Sequence, residues 1–326
     1  MNFSAVILDW FAQHQRDLPW RHTHDAYAIW LSEIILQQTR IVQGEGYWRR
    51  MIERFPTVHA LAQASEDEVL RMWQGLGYYS RARNLHYAAK QIVAHGRFPE
   101  TFEEIRQLKG VGDYTAAAIA SFAFHQPVAA VDGNVYRILA RYFGIDIPIN
   151  TGKGKKCFQQ LADELLPHDA PDTFNQAMMD FGATQCTPTS PQCDICPLSE
   201  GCHALRNHCI ETLPVKKKTL KIKERHLIYL YIRCNGFTAI RRRPHGDIWE
   251  GLWEPPLISP REVKASYQLK VKGMKHVLTH QKLLADLYLY EAQERPQLSS
   301  QYIWIEEERL TEYATPRLIE KLIAHL

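Results

Sequence analysis

Hydrophobic and polar positions follow two different periods along the chain, and the change falls near residues 205 to 225. From the start to about residue 205, apolar residues recur at three- and four-residue intervals between short turns, the pattern of amphipathic helices. Across Ala26 to Val42 the apolar positions Tyr27, Trp30, Leu31, Ile34, Ile35 and Ile41 predict one helix, with Asp25 as its N-cap. Glu33 and Gln37, four residues apart, then share a face. Another helix is expected from Glu66 through Trp73, stopped by GLGYYS. FEEIRQL is halted by Gly110 and Gly112, and DYTAAAIASFAF resumes as a helix with Asp113 near its start.

Later the runs shorten. HLIYLYIR, GFTAIRRR, KHVLTH and LLADLYLYEA are aliphatic and aromatic stretches separated by turn formers, as expected for strands, and TPRLIEKLIAHL reads as an amphipathic terminal helix. Between the two patterns, ETLPVKKKTLKIKER has a proline and a basic run but no apolar face, which marks a connector. The expectation is an all-α domain over 1–205, a connector over 206–222 and an α+β domain over 223–326. A chain of 326 residues is long enough for two such cores.

Composition changes this picture little. With 45% hydrophobic and 23% charged residues, the chain belongs with globular rather than disordered proteins. No apolar run is long enough to cross a bilayer, and the first residues carry no basic n-region or cleavage signal, so a cytoplasmic setting is expected. A net charge of +3 does not by itself argue for a polyanionic partner. Between Lys216 and Arg243, however, ten Lys or Arg residues face one acid, Glu224. That bias fits phosphate contact or a solvated linker and strand edge equally well.

Cysteine usage is more telling. Of seven cysteines none precedes Cys157, and four fall within CTPTSPQCDICPLSEGC as C-x6-C-x2-C-x5-C. Four soft thiolates at such spacing form a ligand set, for iron-sulfur or zinc. Only Cys193 and Cys196 make a tight pair, while Cys186 and Cys202 approach from longer loops, which favours a [4Fe-4S] cluster and leaves structural zinc as the rival. Cys157, Cys209 and Cys234 read as core thiols. Leu108 to Thr115 fits a helix-hairpin-helix whose backbone N–H groups hold a DNA phosphate, or an ordinary helical corner with two glycines.

Taken together, RDLPWR at 16–21, WLSEIILQQTR at 30–40, GLGYYSRARNL at 75–85, LKGVGDYTAAAI at 108–119, VDGNVYRILAR at 131–141, the cysteine pattern and DIWEGLWEPP at 247–256 resemble MutY-type adenine DNA glycosylases of the endonuclease III superfamily over essentially the whole chain. The resemblance implies an all-α helix-hairpin-helix glycosylase domain with an iron-sulfur cluster, followed by an α+β Nudix-like domain. It implies a monofunctional enzyme of base excision repair that hydrolyses the N-glycosidic bond of adenine opposite 8-oxoguanine, with adenine opposite guanine as a second substrate. Double-stranded DNA is then the partner, the chain is expected to be a monomer, and replication or repair proteins are further candidate partners.

Residue by residue, the resemblance makes Glu33 the acid that protonates adenine and Asp132 the carboxylate beside the oxocarbenium-like sugar, a division of labour that base release needs on chemical grounds. Tyr114 stands where glycosylase-lyases carry a Schiff-base lysine, and a phenol cannot supply that amine. Asn134 orients catalytic groups or serves a turn. Gln37 would fill the opened stack and Tyr79 would wedge beside the opposing lesion, with Gln38 and Thr39 making nearby contacts. Arg81 and Arg83 are candidate backbone contacts. Lys109, where the family commonly has proline, joins Gly110 and Gly112 in the hairpin. In the Nudix-like domain no glutamate array suited to magnesium and a diphosphate is recognisable, so lesion recognition is expected there. Leu278, Thr279 and His280 match a loop commonly written FSH, with Leu278 in place of the aromatic. The other readings that stay open are an endonuclease III-like glycosylase-lyase for damaged pyrimidines and a non-enzymatic iron-sulfur DNA-binding module.

Overall fold

A computed structural model describes residues 2–217 and 222–326. Among them the chain forms two compact units, one of residues 2–62 with 87–217 and the other of 63–86 with 222–326. Residues 218–221, part of the expected connector, lie outside the described residues.

The first unit is helical. Its helices are α1 (Phe3–His14), α2 (Ala26–Leu36) and α3 (Ile41–Arg54), and α4 (Val58–Gln63) leads out of it. Helix α5 (Glu66–Met72) belongs to the second unit, and α6 (Ser80–His95) leads back. The first unit continues with α7 (Phe102–Arg106), α8 (Asp113–Phe124), α9 (Gly133–Phe143), α10 (Gly152–Leu165), α11 (Pro171–Asp180) and α12 (His203–Arg206). Asp25 caps α2 as expected, its side chain accepting from Tyr27 N. The single helix expected to Val42 breaks, because Gln38 takes the left-handed conformation with φ +57° and the chain restarts at Ile41. Apolar periodicity continued across this corner because Ile41 happens to resume the phase. Thr101 and Glu104 form a capping box on α7. Between α7 and α8, Gly110 at φ +80° makes the turn that a side chain would strain. Helix α8 packs among α2, α7 and α11, and its unbroken buried run from Thr115 to Ser121 explains why small residues, alanine above all, fill that stretch.

The second unit is built on a seven-stranded mixed sheet of β1 (Lys223–Cys234), β2 (Phe237–Arg242), β3 (Trp253–Glu254), β4 (Leu257–Ile258), β5 (Gln268–Val277), β6 (Gln281–Glu291) and β7 (Tyr302–Glu306). The order is β3-β2-β1-β6-β5, with β4 on β1 and β7 on β2. Strands β1 and β6 run parallel from Lys223↔Gln281 to Arg233↔Glu291, and the other pairs are antiparallel. Period-two alternation divides the faces. Leu227, Tyr229 and Tyr231 pack with Leu318, Ile319 and Leu322 of α13 (Arg317–Ile323), while Leu230, Ile232 and Cys234 face a second cluster with Tyr288 and Trp304.

The basic run resolves in part. Arg225 pairs with Asp247, Arg233 with Glu291 and Glu307, Arg241 and Arg243 with Glu254, and Arg242 with Asp67. These arginines are satisfied within the unit by acids outside the basic run, so the phosphate reading does not extend to them.

Candidate active site and cluster-binding loop

Three elements of the first unit bring the expected catalytic residues to one cavity of about 1380 Å³. Helix α2 carries Glu33 in its third turn, α8 presents Tyr114 in its first, and Asp132 is the N-cap of α9. Such a volume exceeds an ordinary small-molecule pocket.

Electrostatics separates the two carboxyls. Glu33 is 8% exposed, and burial pushes its pKa up to about 7. A hydrogen bond with Tyr114 and the charge of Arg21 oppose that rise, while the charge of Asp132 reinforces it. Glu33 is therefore an acid that still holds its proton near neutrality. Asp132 is also raised by burial, but it is opposed by several partners. Its Oδ1 accepts from Asn134 N and Val135 N, both at 2.8 Å, and its Oδ2 accepts from Asn134 Nδ2 at 2.7 Å. These donors favour the ionised form. The Tyr114 phenol is pushed well above its ordinary value by burial and by both carboxylates, and its hydroxyl also lies 3.8 Å from Met179 Sδ. Tyr114 thus lies within electrostatic reach of both Glu33 and Asp132.

Two arginine arrangements lay outside what sequence reading found. Arg21, from RDLPWR, grips the fully buried Asp180 in a fork, with Nη1 to Oδ2 and Nη2 to Oδ1 both 2.8 Å, and Arg16 Nε reaches Oδ1 at 2.8 Å. Burial alone would raise Asp180, yet the two arginines hold it below the usual carboxylate range. Arg137, on α9, donates to Asn134 Oδ1 at 2.8 Å, Cys186 O at 2.7 Å and Gly182 O at 2.5 Å. One turn later Arg141 binds Thr187 O at 2.7 Å and Pro188 O at 3.0 Å, with Cys186 Sγ at 3.5 Å. One face of α9 therefore links Asp132, through Asn134, to the cysteine loop. A Cβ on Gly182 would come within 2.4 Å of Asn134 Cβ, so this close approach requires glycine.

Cys186, Cys193, Cys196 and Cys202 line one small void together with Arg141. Among the described residues no three His, Cys, Asp or Glu side chains converge as they would on a single ion. Four thiols spread around a shared void, with an arginine to offset thiolate charge, fit an iron-sulfur cubane.

The DNA-facing expectations fare unevenly. Gln37, Gln38 and Thr39 line the cavity, and Gln37 Nε2 bonds Thr115 Oγ1 at 3.2 Å while Gln38 is exposed. Lys109, Gly110 and Gly112 are exposed on the hairpin, where Lys109 N donates to Gln91 Oε1 at 2.8 Å. In the second unit Tyr79 is only 6% exposed and accepts from Gly75 N, whereas its neighbour Tyr78 is 46% exposed with φ +48°. The aromatic surface expected from Tyr79 is thus carried by Tyr78. Arg81 also departs from its expected backbone contact. It is buried, bonds Gly77 O at 3.1 Å and lies over the Trp73 ring, and burial lowers its pKa to about 10. Arg83 is likewise committed, to the carbonyl and carboxylate of Glu250. The expected KHVLTH strand stops at Val277, and the next three residues form the β5–β6 hairpin tip, with Thr279 and His280 exposed and Leu278 packed on the sheet cluster.

Comparison with known proteins agrees with this layout. Residues 31–167 match the HhH-GPD superfamily base excision DNA repair proteins, 186–202 the iron-sulfur binding domain of endonuclease III, and 228–325 the NUDIX domain. The cofactor is accordingly an iron-sulfur cluster. The adenine DNA glycosylase of Buchnera aphidicola subsp. Acyrthosiphon pisum is 37% identical over 263 residues, covering 80% of this chain and 75% of that protein. The Arabidopsis thaliana adenine DNA glycosylase is 37% identical over 77% of this chain, which spans 46% of its length. A thermostable thymine-DNA glycosylase superposes with a TM-score of 0.59 at 31% identity, covering 63% of this chain and 95% of that one. Endonuclease III trapped on DNA superposes at 0.56 and 22% identity over 63% of this chain and 94% of that one, a likeness of fold. Three matched domains in order, with such a relative covered over three quarters of its length, place the chain in the adenine DNA glycosylase family.

Proposed function

We propose that the chain is a monofunctional adenine DNA glycosylase that releases adenine opposite 8-oxoguanine and, secondarily, opposite guanine. The observation that carries the reading is Glu33, a buried carboxyl with a pKa of about 7, in one cavity with Asp132 and Tyr114. Glu33 donates its proton to a ring nitrogen of the extruded adenine, so the base leaves as a neutral molecule. As the N-glycosidic bond lengthens, positive charge grows on the sugar, and the Asp132 carboxylate stabilises it. Asn134 holds that carboxylate, and Arg137 holds Asn134. With its proton transferred, Glu33 can take one from the incoming water. Tyr114 stays a phenol at neutral pH and offers no amine, which favours hydrolysis without strand cleavage over the glycosylase-lyase alternative.

Cys186, Cys193, Cys196 and Cys202 would hold the [4Fe-4S] cluster, which would brace the loop after α11 and supply no acid or base, while Arg137 and Arg141 tie that loop to α9. The exposed turn residues Gln38 and Tyr78, both left-handed, are better placed than Gln37 and Tyr79 to enter a disrupted base stack. Lys109, Gly110 and Gly112 would take a backbone phosphate at the start of α8. Leu278 supports the hairpin tip on which Thr279 and His280 meet the opposing lesion.

The test incubates purified chain with duplexes carrying A:8-oxoguanine, A:G, A:T or an oxidised pyrimidine, and measures free base and strand breaks before and after alkali. Adenine release from the first two, with breaks appearing after alkali, is expected. Release of the damaged pyrimidine with immediate cleavage would reject the proposal.

A further inference from the structure

Between α8 and α9, residues 125–131 carry the chain to Asp132 without joining a helix or a strand. Ala129, Ala130 and Val131 are nonetheless buried, so their backbone groups need partners other than water. Side chains of α10 and α11 supply them. Asp163 Oδ1 accepts from Ala129 N at 3.2 Å, and Gln159 Nε2 donates to Ala129 O at 2.9 Å. Asn175, on α11, reaches further. Its Oδ1 accepts from Ala130 N at 3.0 Å, while its Nδ2 donates to Val128 O and to Ser121 Oγ, both at 2.9 Å.

Asn175 and Ser121 are both buried, so these bonds form away from water, where an unmade one is costly. Ser121 lies on α8 about two turns beyond Tyr114. Ala130 in turn packs with Ala117 and Ala118 of the same helix, beside Tyr114. One planar amide thus ties the helix that bears Tyr114 to the segment that ends in Asp132. Because its donors and acceptor are fixed in one plane, it sets the separation of the two.

We infer that Asn175 is a positioning residue for the reaction, holding the Asp132 carboxylate at its working distance from Tyr114 and Glu33. The inference rests on the proposed function, in which positive charge grows on the sugar beside Asp132 as Glu33 protonates the base. That charge develops in the transition state and is absent from the bound substrate. A displaced Asp132 therefore slows base release without loosening the duplex. Asn134 and Arg137 orient the same carboxylate from within α9, whereas Asn175 fixes the place at which α9 begins.

The experiment compares the full chain with Asn175→Ala and Ser121→Ala, each checked for iron content and thermal unfolding. Single-turnover adenine release is measured on A:8-oxoguanine, and affinity on duplexes in which the adenosine is replaced by a neutral tetrahydrofuran or by a pyrrolidine whose protonated nitrogen mimics the charged sugar. Asn175→Ala should slow release about 10- to 100-fold with tetrahydrofuran affinity unchanged, and the preference for pyrrolidine should shrink by a similar factor. Ser121→Ala removes only the anchor on α8, in a run of alanines, so it should fold normally and show the same pattern at roughly tenfold. In an Asp132→Asn background neither change should alter the pyrrolidine preference further, which a purely structural role would not require. If Asn175→Ala does not fold, Ser121→Ala decides alone. Unchanged release and preference in the deciding variant would overturn the inference, as would equal losses of affinity for both analogues, which mark a general loss of structure. Absence of adenine release by the unaltered chain would overturn the proposed function and this inference with it.

Discussion

Glu33 in the helical unit and Glu254 in the sheet unit are both buried carboxyls, at 8% and 0% exposure, and their surroundings treat them in opposite ways. Glu254 is surrounded by donors. Arg241 reaches Oε1 at 3.0 and 3.1 Å, Arg243 pairs with Oε2, and the Tyr229 hydroxyl donates to Oε2 at 3.2 Å. Glu33 has a tyrosine hydroxyl, a second carboxylate and only the more distant influence of Arg21, whose guanidinium is already engaged by Asp180. A buried charge that is fully paired stabilises or specifies a fold, whereas one left short of partners keeps its proton and can give it away. Arg21 and Asp180 sharpen the contrast within the helical unit, since there a buried aspartate is held below its usual range by two arginines.

The largest effect expected from this contrast is chemical. Glu33→Gln, which keeps size and hydrogen bonding but cannot donate the same proton, should lower single-turnover adenine release about 10²–10⁴-fold with DNA affinity retained. Full turnover in that variant would refute the role given to Glu33. The sheet should respond in stability instead. Arg243→Met removes a partner of Glu254 and leaves a buried carboxylate short of charge, so a loss of about 3–5 kcal/mol is expected in denaturant unfolding. A change within 1 kcal/mol, by the surface-mutation scale, would mean that the pair is not structurally important.

Next in size is a stability cost carried by the catalytic acid. The folded pKa of Glu33, about 7, is above its ordinary 4.5. Below pH 4.5 the group is protonated folded or unfolded and imposes no penalty; as pH rises through about 7 the folded state loses stability relative to the unfolded one. At 1.36 kcal/mol per pKa unit the upper limit is about 3 kcal/mol, so Glu33→Gln should be more stable than the parent at pH 8 and equal to it near pH 4. Equal stability at both pH values would contradict the assigned shift.

A smaller effect is expected at Gly182. Gly182→Ala must displace Asn134, and with it the carboxylate it holds, because the added Cβ would lie 2.4 Å from Asn134 Cβ. Adenine release should fall about 10- to 100-fold through kcat, with iron content preserved. Loss of iron at unchanged rate in the remaining holoprotein would show that the contact serves the cysteine loop alone. Smallest is Lys109→Glu on the exposed hairpin, which should weaken DNA affinity by a similar factor for all duplexes and reduce its salt dependence. Unchanged affinity at low salt would remove Lys109 from the phosphate contacts.

What the sequence made legible follows from how local each feature is. The cysteine spacing and the glycines around residue 110 are short-range patterns, and the structure places them in a common void and a tight hairpin. The positions of Glu33, Tyr114 and Asp132 in one cavity came from resemblance, because acids 99 residues apart carry no local signal. Arg137 and Asp180 escaped notice for the same reason: their partners, Cys186, Arg16 and Arg21, lie 49, 164 and 159 residues away. The arginines of the basic run looked unpaired because Asp67, Glu291 and Glu307 are distant in sequence. Periodicity also failed at Gln38, where a left-handed residue other than glycine ends the helix without a compositional cue. Such departures from local rules concentrate where function needs them.

The pH dependence of single-turnover adenine release from an A:8-oxoguanine duplex tests the central claim most directly. Release should be bell-shaped, rising as Asp132 ionises at a value above the ordinary aspartate range and falling as Glu33 loses its proton near pH 7. The residual release of Glu33→Gln should lack the alkaline fall. Release that stays level or climbs from pH 6 to pH 9 in the unaltered chain would contradict Glu33 as the acid.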